Sequence, residues 1–311
     1  MRITAIEMAS AILIMRRWPS EFGLQARMIL TLVMIGVLNL AFLAFLYWLG
    51  LDPVTLMIMA AVMLGIQYFF SDKMVLASTR AQVVSPDQAP ELHSIVDKLS
   101  AEAGIPKPRV AIVPTDVPNA FATGRSLHHS VIAATSGLLQ RLNADEVEAV
   151  LAHELSHVRN RDVAVITIAS FLATVAQFIM NSAMFGGMMG GARRDDSRRG
   201  PGVILIFVVS AVVYFIGMLL VRMLSRYREY AADRGSAIIT GHPAHLISAL
   251  LKISGVMDRV PQRDLREQEG LNQFFIVPQL TGRSLMELFA THPPIEKRIR
   301  QLERMEQAMG P

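Results

Sequence analysis

The amino-acid sequence predicts a mainly α-helical protein with a small β-sheet (α+β), in which four hydrophobic membrane helices accompany a domain built from two polar blocks. Two observations support this prediction. Four uncharged apolar runs approach or exceed the roughly 20 residues that a bilayer span needs. Only 18% of the 311 residues are charged, whereas 52% are hydrophobic. Soluble domains carry about 25% charged residues, so part of this chain is expected to lie in lipid.

The apolar runs occur in two pairs, and they cover residues 28–49, 53–71, 163–191 and 203–221. Buried core helices are the alternative interpretation, but four such runs in one chain favour membrane spans. The first 27 residues hold an apolar stretch that is interrupted by Glu7 and has no convincing cleavage site. We therefore expect this N-terminal segment to form an uncleaved helix in the membrane interface.

The polar remainder flanks the second pair of apolar runs. The predicted order begins with an interfacial segment (1–27), two transmembrane helices (28–72) and the first part of a polar domain (73–162). A membrane hairpin (163–224) and the second part of that domain (225–311) follow. A hairpin returns the chain to the side that it left, so the two polar parts can fold together.

Hydrophobic periodicity predicts the elements of the polar domain. Its first part should contain a helix, two strands and a second helix that follows Asn143, a good N-cap with two acidic residues behind it. The first three of these elements cover 90–104, 109–114 and 130–134. Residues 118–124 could form an edge strand or, because of their Asn and Gly, a turn-forming loop. The second part should contain helices over 226–239, 242–256 and 293–308.

The last predicted helix of the first polar block contains the sequence His153-Glu154-Leu155-Ser156-His157. Residues four apart lie on one helix face, so both imidazoles can bind the same metal ion. This H-E-x-x-H spacing is typical of zinc proteases, in which the glutamate acts as general base on a zinc-bound water. We predict a catalytic domain with one Zn²⁺ per chain. The alternative is a pair of surface histidines beside a glutamate.

A catalytic zinc ion needs a third protein ligand from elsewhere in the chain. The sequence has no cysteine, so that ligand must be His, Asp or Glu. Glu229 follows the fourth apolar run and is the best candidate, with His242 and His245 as alternatives. Asp233 shares the helix face of Glu229 and could accept a hydrogen bond from a ligand histidine.

Nearly the whole chain resembles the HtpX-type membrane zinc metalloproteases, which are relatives of the CAAX prenyl proteases. The resemblance covers the four apolar segments, with the paired histidines just before the third, and three further motifs. These are Asn119-Ala120-Phe121-Ala122-Thr123-Gly124, Arg228-Glu229-Tyr230-Ala231-Ala232-Asp233 and Thr291-His292-Pro293-Pro294-Ile295-Glu296-Lys297-Arg298-Ile299. It implies a zincin-like (gluzincin) catalytic domain formed by the two polar parts, in which Glu229 is the third zinc ligand and Asp233 supports the ligands.

The resemblance further implies that segment 119–124 lines the substrate cleft and binds an extended peptide by strand addition. The cleft candidates in this segment are Asn119, Ala120, Phe121 and Gly124. His292 is expected to be catalytic by donating to the oxyanion, although residues 291–294 would equally start a helix, with threonine as its cap. Arg298 could stabilise the same oxyanion or pair with a carboxylate.

By the same resemblance, the protein is an integral membrane endopeptidase that removes misfolded or damaged membrane proteins. Its expected place is the bacterial inner membrane, with the active site on the cytoplasmic side. Basic residues before the first span, together with Lys73 and Arg80 after the second, fit positive-inside placement. Four arginines near the hairpin tip do not fit, so either earlier signals dominate or the hairpin does not fully cross. These arginines are Arg193, Arg194, Arg198 and Arg199.

Two other functions compete with this interpretation. A prenyl-protein processing protease would use the same chemistry, but the short chain with four spans favours the HtpX type. A non-enzymatic scaffold or transporter could bind zinc structurally, but structural sites usually have four ligands and transporters carry ionisable groups inside their spans. The net charge of +4 comes with no nucleic-acid-binding motif, so no nucleic-acid partner is expected. The sequence does not indicate an oligomeric state.

Overall fold

A computed structural model describes residues 22–50, 53–190, 200–257 and 293–309. Within these ranges the protein is mainly α-helical and contains one four-stranded mixed sheet, which confirms the α+β prediction. Most of the N-terminal segment predicted to lie in the interface is outside the described residues. Its last residues, 22–27, already belong to the first helix.

Four long helices contain the apolar runs, namely α1 (Phe22–Trp48), α2 (Pro53–Thr79), α6 (Asp162–Gly190) and α7 (Gly200–Thr240). Among the described residues, α1 and Gly202–Thr240 of α7 are long and apolar enough to cross a membrane. Helix α6 adds a third candidate if its parts before and after a 41° bend, Asp162–Phe171 and Ala173–Asn181, form one span. The described helices thus provide two or three candidate spans, fewer than the four predicted.

Helices α1, α6 and α7 pack together through apolar side chains. Phe42 and Leu46 of α1 share an apolar cluster with Val213 of α7, and Ile35 of α1 shares another with Leu220 and Leu224 of α7. Earlier residues of α1 therefore pack beside later residues of α7, so the two helices run antiparallel. Many large apolar side chains on their other faces are exposed, and a lipid environment would cover them. Examples are Ile29, Val33, Val37, Leu40, Ile204 and Val212.

The sheet has the strand order β1-β2-β4-β3, and its strands are β1 (Gln82–Val83), β2 (Arg109–Val113), β3 (Ala120–Gly124) and β4 (Ser130–Thr135). The two predicted strands correspond to β2 and β4, which pair in parallel. Strand β3 pairs antiparallel with β4 and lies at an edge of the described sheet. Segment 118–124 therefore contains an edge strand and is not simply a turn-forming loop.

The remaining helices are α3 (Pro90–Ala103), α4 (Ser136–Arg141), α5 (Ala144–Arg159), α8 (Pro243–Met257) and α9 (Ile295–Met309). All except the short α4 were predicted within a few residues. Helix α5 begins with the predicted cap, since the Asn143 side chain accepts from Glu146 N at 2.9 Å. The Glu146 carboxylate accepts in turn from Asn143 N, from Ser248 and from Lys252. Burial acts to raise the pKa of Glu146, but these donors outweigh it and lower the pKa. The cap thus also joins α5 to α8.

Helices α5 and α7 approach each other closely because small residues line their contact. A Cβ atom at Gly235 of α7 would lie 2.2 Å from the Ser156 Oγ of α5. The neighbouring Ser236 donates its hydroxyl hydrogen to Ala149 O at 2.7 Å. This contact fixes α7 against α5 about two turns beyond Glu229, which brings Glu229 beside the paired histidines of α5.

Candidate metal centre

His153 and His157 of α5 and Glu229 of α7 converge, and their donor atoms all lie within 4.8 Å of one another. The two histidine Nε2 atoms are 3.2 Å apart, and they lie 3.5 and 3.4 Å from the two oxygens of Glu229. Zinc binds such atoms at about 2.0–2.2 Å, which places neighbouring tetrahedral ligands roughly 3.3 Å apart. The three side chains are therefore spaced to share one ion, and the donor set suits zinc.

Each histidine is held from behind by a carboxylate. His153 Nδ1 lies 3.0 Å from Asp233 Oδ1, and His157 Nδ1 lies 2.7 Å from Asp162 Oδ2. With Nδ1 occupied, Nε2 of each ring is turned towards Glu229, as metal-ligating histidines require. Burial alone would lower the pKa of both histidines. Hydrogen bonds to carboxylates outweigh this effect and raise both pKa values: His153 is bonded to Asp233 and Glu229, and His157 is bonded to Glu229.

Glu154 is buried beside the histidines and faces strand β3. Its Oε2 accepts a hydrogen bond from Ala122 N at 3.1 Å, so the carboxylate connects the histidine helix to the edge strand. A peptide laid along β3 would pass next to Glu154 and to the point between the three metal-binding side chains. This arrangement suits a carboxylate that moves a proton between water and a peptide bond.

Comparison with known proteins supports the same chemistry, since residues 86–306 match Peptidase family M48. The chain belongs to this family. The M48 chain is 54% identical over 295 residues to "Protease HtpX homolog 2" from Methanosarcina acetivorans, covering 95% of this chain and 99% of that protein. It is also 54% identical to "Protease HtpX homolog" from Moorella thermoacetica, covering 94% of this chain and 98% of that protein. The chain is therefore an HtpX-type metallopeptidase, as the sequence motifs predicted.

The fold of this M48 chain also resembles that of a solved structure, Ste24p from S. mikatae. The TM-score is 0.54 at 17% sequence identity, and the likeness covers 86% of this chain but 62% of the solved one. Membership of a peptidase family excludes the interpretation of the chain as a purely non-enzymatic scaffold or transporter.

Arg298 enters the M48 site from α9 and is almost fully buried. Its Nε and Nη2 donate to the two oxygens of Asp233 at 2.9 and 2.6 Å, and its Nη1 lies 3.5 Å from Glu229 Oε2. Burial alone would lower the pKa of Arg298, but Asp233 and the other carboxylates raise it. Of the two roles predicted for Arg298, the structure shows the pairing with a carboxylate, which fixes Asp233 behind His153.

Asp162 and Arg228 were not predicted as site residues. Asp162 begins α6, and Arg228 donates both to its carboxylate and to Asn160 O, the latter at 2.8 Å. Continued helical periodicity would place residue 162 on a different face from His157. The chain instead turns at Arg161, which has a φ of 55°, and this turn brings the carboxylate back to the histidine. An acidic residue soon after the second histidine was the available signal, but its position depends on that turn.

The predicted cleft residues lie on β3, and their side chains take different positions. Asn119 O accepts from Thr135 N, so by strand alternation the peptide groups of Ala120, Ala122 and Gly124 face away from β4. Side chains alternate between the two faces of the sheet as well. The predicted cleft residue Phe121 packs into a core cluster on the sheet face opposite α5, with Val113 and Val131. Phe121 thus offers neither its ring nor its N–H and C=O groups to the predicted cleft, because by the same alternation those backbone groups point towards β4.

Gly124 ends β3 with a φ of 135°, and a Cβ atom there would lie 2.2 Å from His129 O. Only glycine fits this position without a shift.

The alternative ligands His242 and His245 lie near each other at the start of α8, with ring centroids 5.2 Å apart, and they do not join the metal-binding group. His292 lies outside the described residues, so its catalytic role stays a prediction.

Proposed function

We propose that this M48 chain is an integral membrane zinc endopeptidase, with His153, His157 and Glu229 as the zinc ligands and Glu154 as the general base. The observation that carries the proposal is the convergence of three donors, spaced for one tetrahedral ion, beside a carboxylate bonded to an edge strand. Three protein ligands leave the fourth position for water, as in catalytic zinc sites.

A zinc ion in this site would polarise the substrate carbonyl and lower the pKa of its bound water towards 7. The Glu154 carboxylate then accepts the water's proton and delivers it to the leaving amine. Its bond from Ala122 N orients the carboxylate for both transfers. Asp233 and Asp162 keep the two imidazoles oriented, while Arg298 holds Asp233 in place.

The substrate is proposed to be an extended segment of a misfolded or damaged membrane protein. Such a segment would add to the outward side of β3, where the peptide groups of Ala120 and Gly124 and the carbonyl of Ala122 face away from β4, whereas the Ala122 N–H is bonded to Glu154. Recognition through backbone groups tolerates many sequences, which suits an enzyme of protein quality control. A segment must be extended to add to β3, so local unfolding of a helical substrate would favour binding.

The proposed location is a bacterial inner membrane, with four spans, the domain order predicted from the sequence, and the active site on the cytoplasmic side. Support comes from the packing of α1, α6 and α7 and from the meeting of both polar parts at one end of α7. The hairpin tip, 191–199, lies outside the described residues.

A single cysteine at position 195 tests this topology, because the natural sequence has no cysteine. We expect a membrane-impermeant thiol reagent to label it from outside intact cells. A single cysteine at exposed Lys107 of the polar domain, as control, should be labelled only after the membrane is opened. Protection of position 195 in intact cells, with labelling after lysis, would contradict the four-span arrangement.

Removal of the metal tests the proposed chemistry directly. The purified, detergent-solubilised protein should contain about one zinc per chain and cleave an unfolded membrane protein. A chelator should abolish cleavage, and stoichiometric zinc should restore it, because a zinc ion bound by the three ligands completes the proposed site without another cofactor. Full cleavage by protein shown to be free of metal would end the proposal, whereas Mg²⁺ in place of zinc should restore nothing.

Asp162→Asn should weaken zinc binding by about 10-fold to 100-fold, the usual effect of removing a carboxylate behind a ligand histidine. Asparagine keeps the size but loses the charge that faces His157 Nδ1 and Arg228. Competition with a fluorescent chelator measures the affinity. Asp145→Asn, an exposed change in the first turn of the same α5 helix, is the matched control. Equal zinc affinity in both variants would show that Asp162 does not position the ring.

A further inference from the structure

A cavity of about 700 Å³ lies where the first turns of α1 meet α7 and α9. This volume is typical of small-molecule sites. Besides the amide of Gln301, the polar part of its lining is basic or phenolic, namely Arg27, Tyr227, Tyr230, Lys297, Arg300 and Arg304. None of the three metal-binding side chains contributes to it, although Tyr230 directly follows Glu229 in α7. The cavity is therefore separate from the proposed active site but shares two of its helices.

The cavity is lined by four cationic side chains and, among the described residues, by no acidic one. None of these four cations has a carboxylate partner in the described part of the chain, whereas Lys98, Lys107 and Lys252 elsewhere are paired at 2.6–2.8 Å. The acidic residues of α9 lie on another side of that helix, outside the lining. Like charges around one cavity repel each other, and an anion bound between them would relieve that repulsion.

The position of the cavity indicates the source of the anion. Arg27 immediately precedes the first apolar run, and Tyr227 and Tyr230 lie soon after Arg222 closes the fourth. Because α1 and α7 are antiparallel, both boundaries fall at the same membrane surface. Basic and tyrosine side chains at this level face lipid headgroups. Leu24 and Met305 add apolar lining that a free phosphate ion would not use.

We propose that this cavity binds the headgroup phosphate of an anionic phospholipid. The guanidinium groups of Arg27, Arg300 and Arg304 would bind phosphate oxygens, since arginine recognises phosphate through paired hydrogen bonds. Lys297 adds charge, and the two tyrosine hydroxyl groups can donate. A bound headgroup would join α9 to α1. Helix α9 also carries Arg298, so the lipid would stabilise the helix that holds Asp233 behind His153.

The test uses the full-length protein in detergent and native mass spectrometry. Phosphatidylglycerol should be retained in preference to phosphatidylcholine at equal concentration. The double variant Arg300→Gln/Arg304→Gln should lose about thirtyfold in phosphatidylglycerol affinity, the factor expected from two basic contacts with anionic lipid. Its matched control is Lys73→Gln/Arg80→Gln, which removes two exposed charges at the polar end of α2 and should keep wild-type retention.

Two results would overturn the proposal. One is unchanged phosphatidylglycerol retention in the Arg300/Arg304 double variant. The other is displacement of the lipid by equimolar glycerol phosphate, which would identify a soluble phosphate ester as the ligand. If the double variant does not fold, Arg27→Gln on α1 removes a contact from a different helix and should lower retention by about fivefold. Binding is measured without peptide hydrolysis, so failure here leaves the proposed peptidase function untouched.

Discussion

Replacement of Glu154 by glutamine is expected to abolish peptide hydrolysis and to leave the zinc in place. The amide oxygen of glutamine can still accept from Ala122 N, and the three zinc ligands are unchanged. The amide cannot take a proton from water, however, so the general-base contribution of about 10²-fold to 10⁴-fold in rate is lost. Initial rates on an unfolded membrane protein measure the loss, and elemental analysis of the same sample measures zinc.

The matched control for this variant is Glu148→Gln, in the same helix. Glu148 pairs with Lys98, which is mostly exposed, and such pairs contribute little to stability. Zinc content and cleavage should both remain at wild-type values in the control. Cleavage by Glu154→Gln at more than a tenth of the wild-type rate would mean that another group acts as the base. Loss of zinc from this variant would mean that Glu154 also supports the metal.

Glu229→Ala should remove both the zinc and the activity. Of the proposed ligands only the two imidazoles then remain, whereas a catalytic zinc site needs three protein ligands. We expect the zinc content after dialysis to fall from about one per chain to near zero, with cleavage below detection. The two bonds between Arg298 and Asp233 remain, so thermal unfolding of the metal-free protein should change little.

The control for this second variant is Glu148→Ala, which also removes a carboxylate but does so away from the metal-binding group. It should retain one zinc per chain. If Glu229→Ala retained one zinc per chain as well, the third ligand would have to come from another residue. A comparison of metal-free wild type with metal-free Glu229→Ala by thermal unfolding separates loss of a ligand from loss of the fold.

Local chemical rules predicted much of the histidine helix. The Asn143 cap, the i and i+4 histidines and the adjacent glutamate depend on helix geometry alone, and the structure contains each of them. The proximity of Glu229 depends on a close helix crossing at Gly235, which no periodicity describes. Its position after the fourth apolar run made it the best candidate over His242 and His245, and the resemblance assigned it as the third ligand. The structure brings its carboxylate to the paired rings.

Other features depend on tertiary structure that sequence patterns do not encode. The approach of Asp162 to His157 requires the turn at Arg161 and the bond from Arg228, which come from separate parts of the chain. The position of the Phe121 ring requires knowledge of which strand lies beside β3 and of which face meets α5. The cavity near Arg27 likewise joins three helices that are remote in sequence, so no motif indicated it.

Helix α6 and the apolar part of α7 separate the paired histidines from Glu229 in the sequence, and this has a consequence for how the enzyme is made. During translation, His153 and His157 leave the ribosome well before Glu229, and in the proposed topology the hydrophobic hairpin would be inserted in between. A nascent chain would therefore carry an incomplete set of the proposed ligands until Glu229 has been synthesised. With the proposed ligand set, peptide hydrolysis would therefore begin only after α7 has been synthesised.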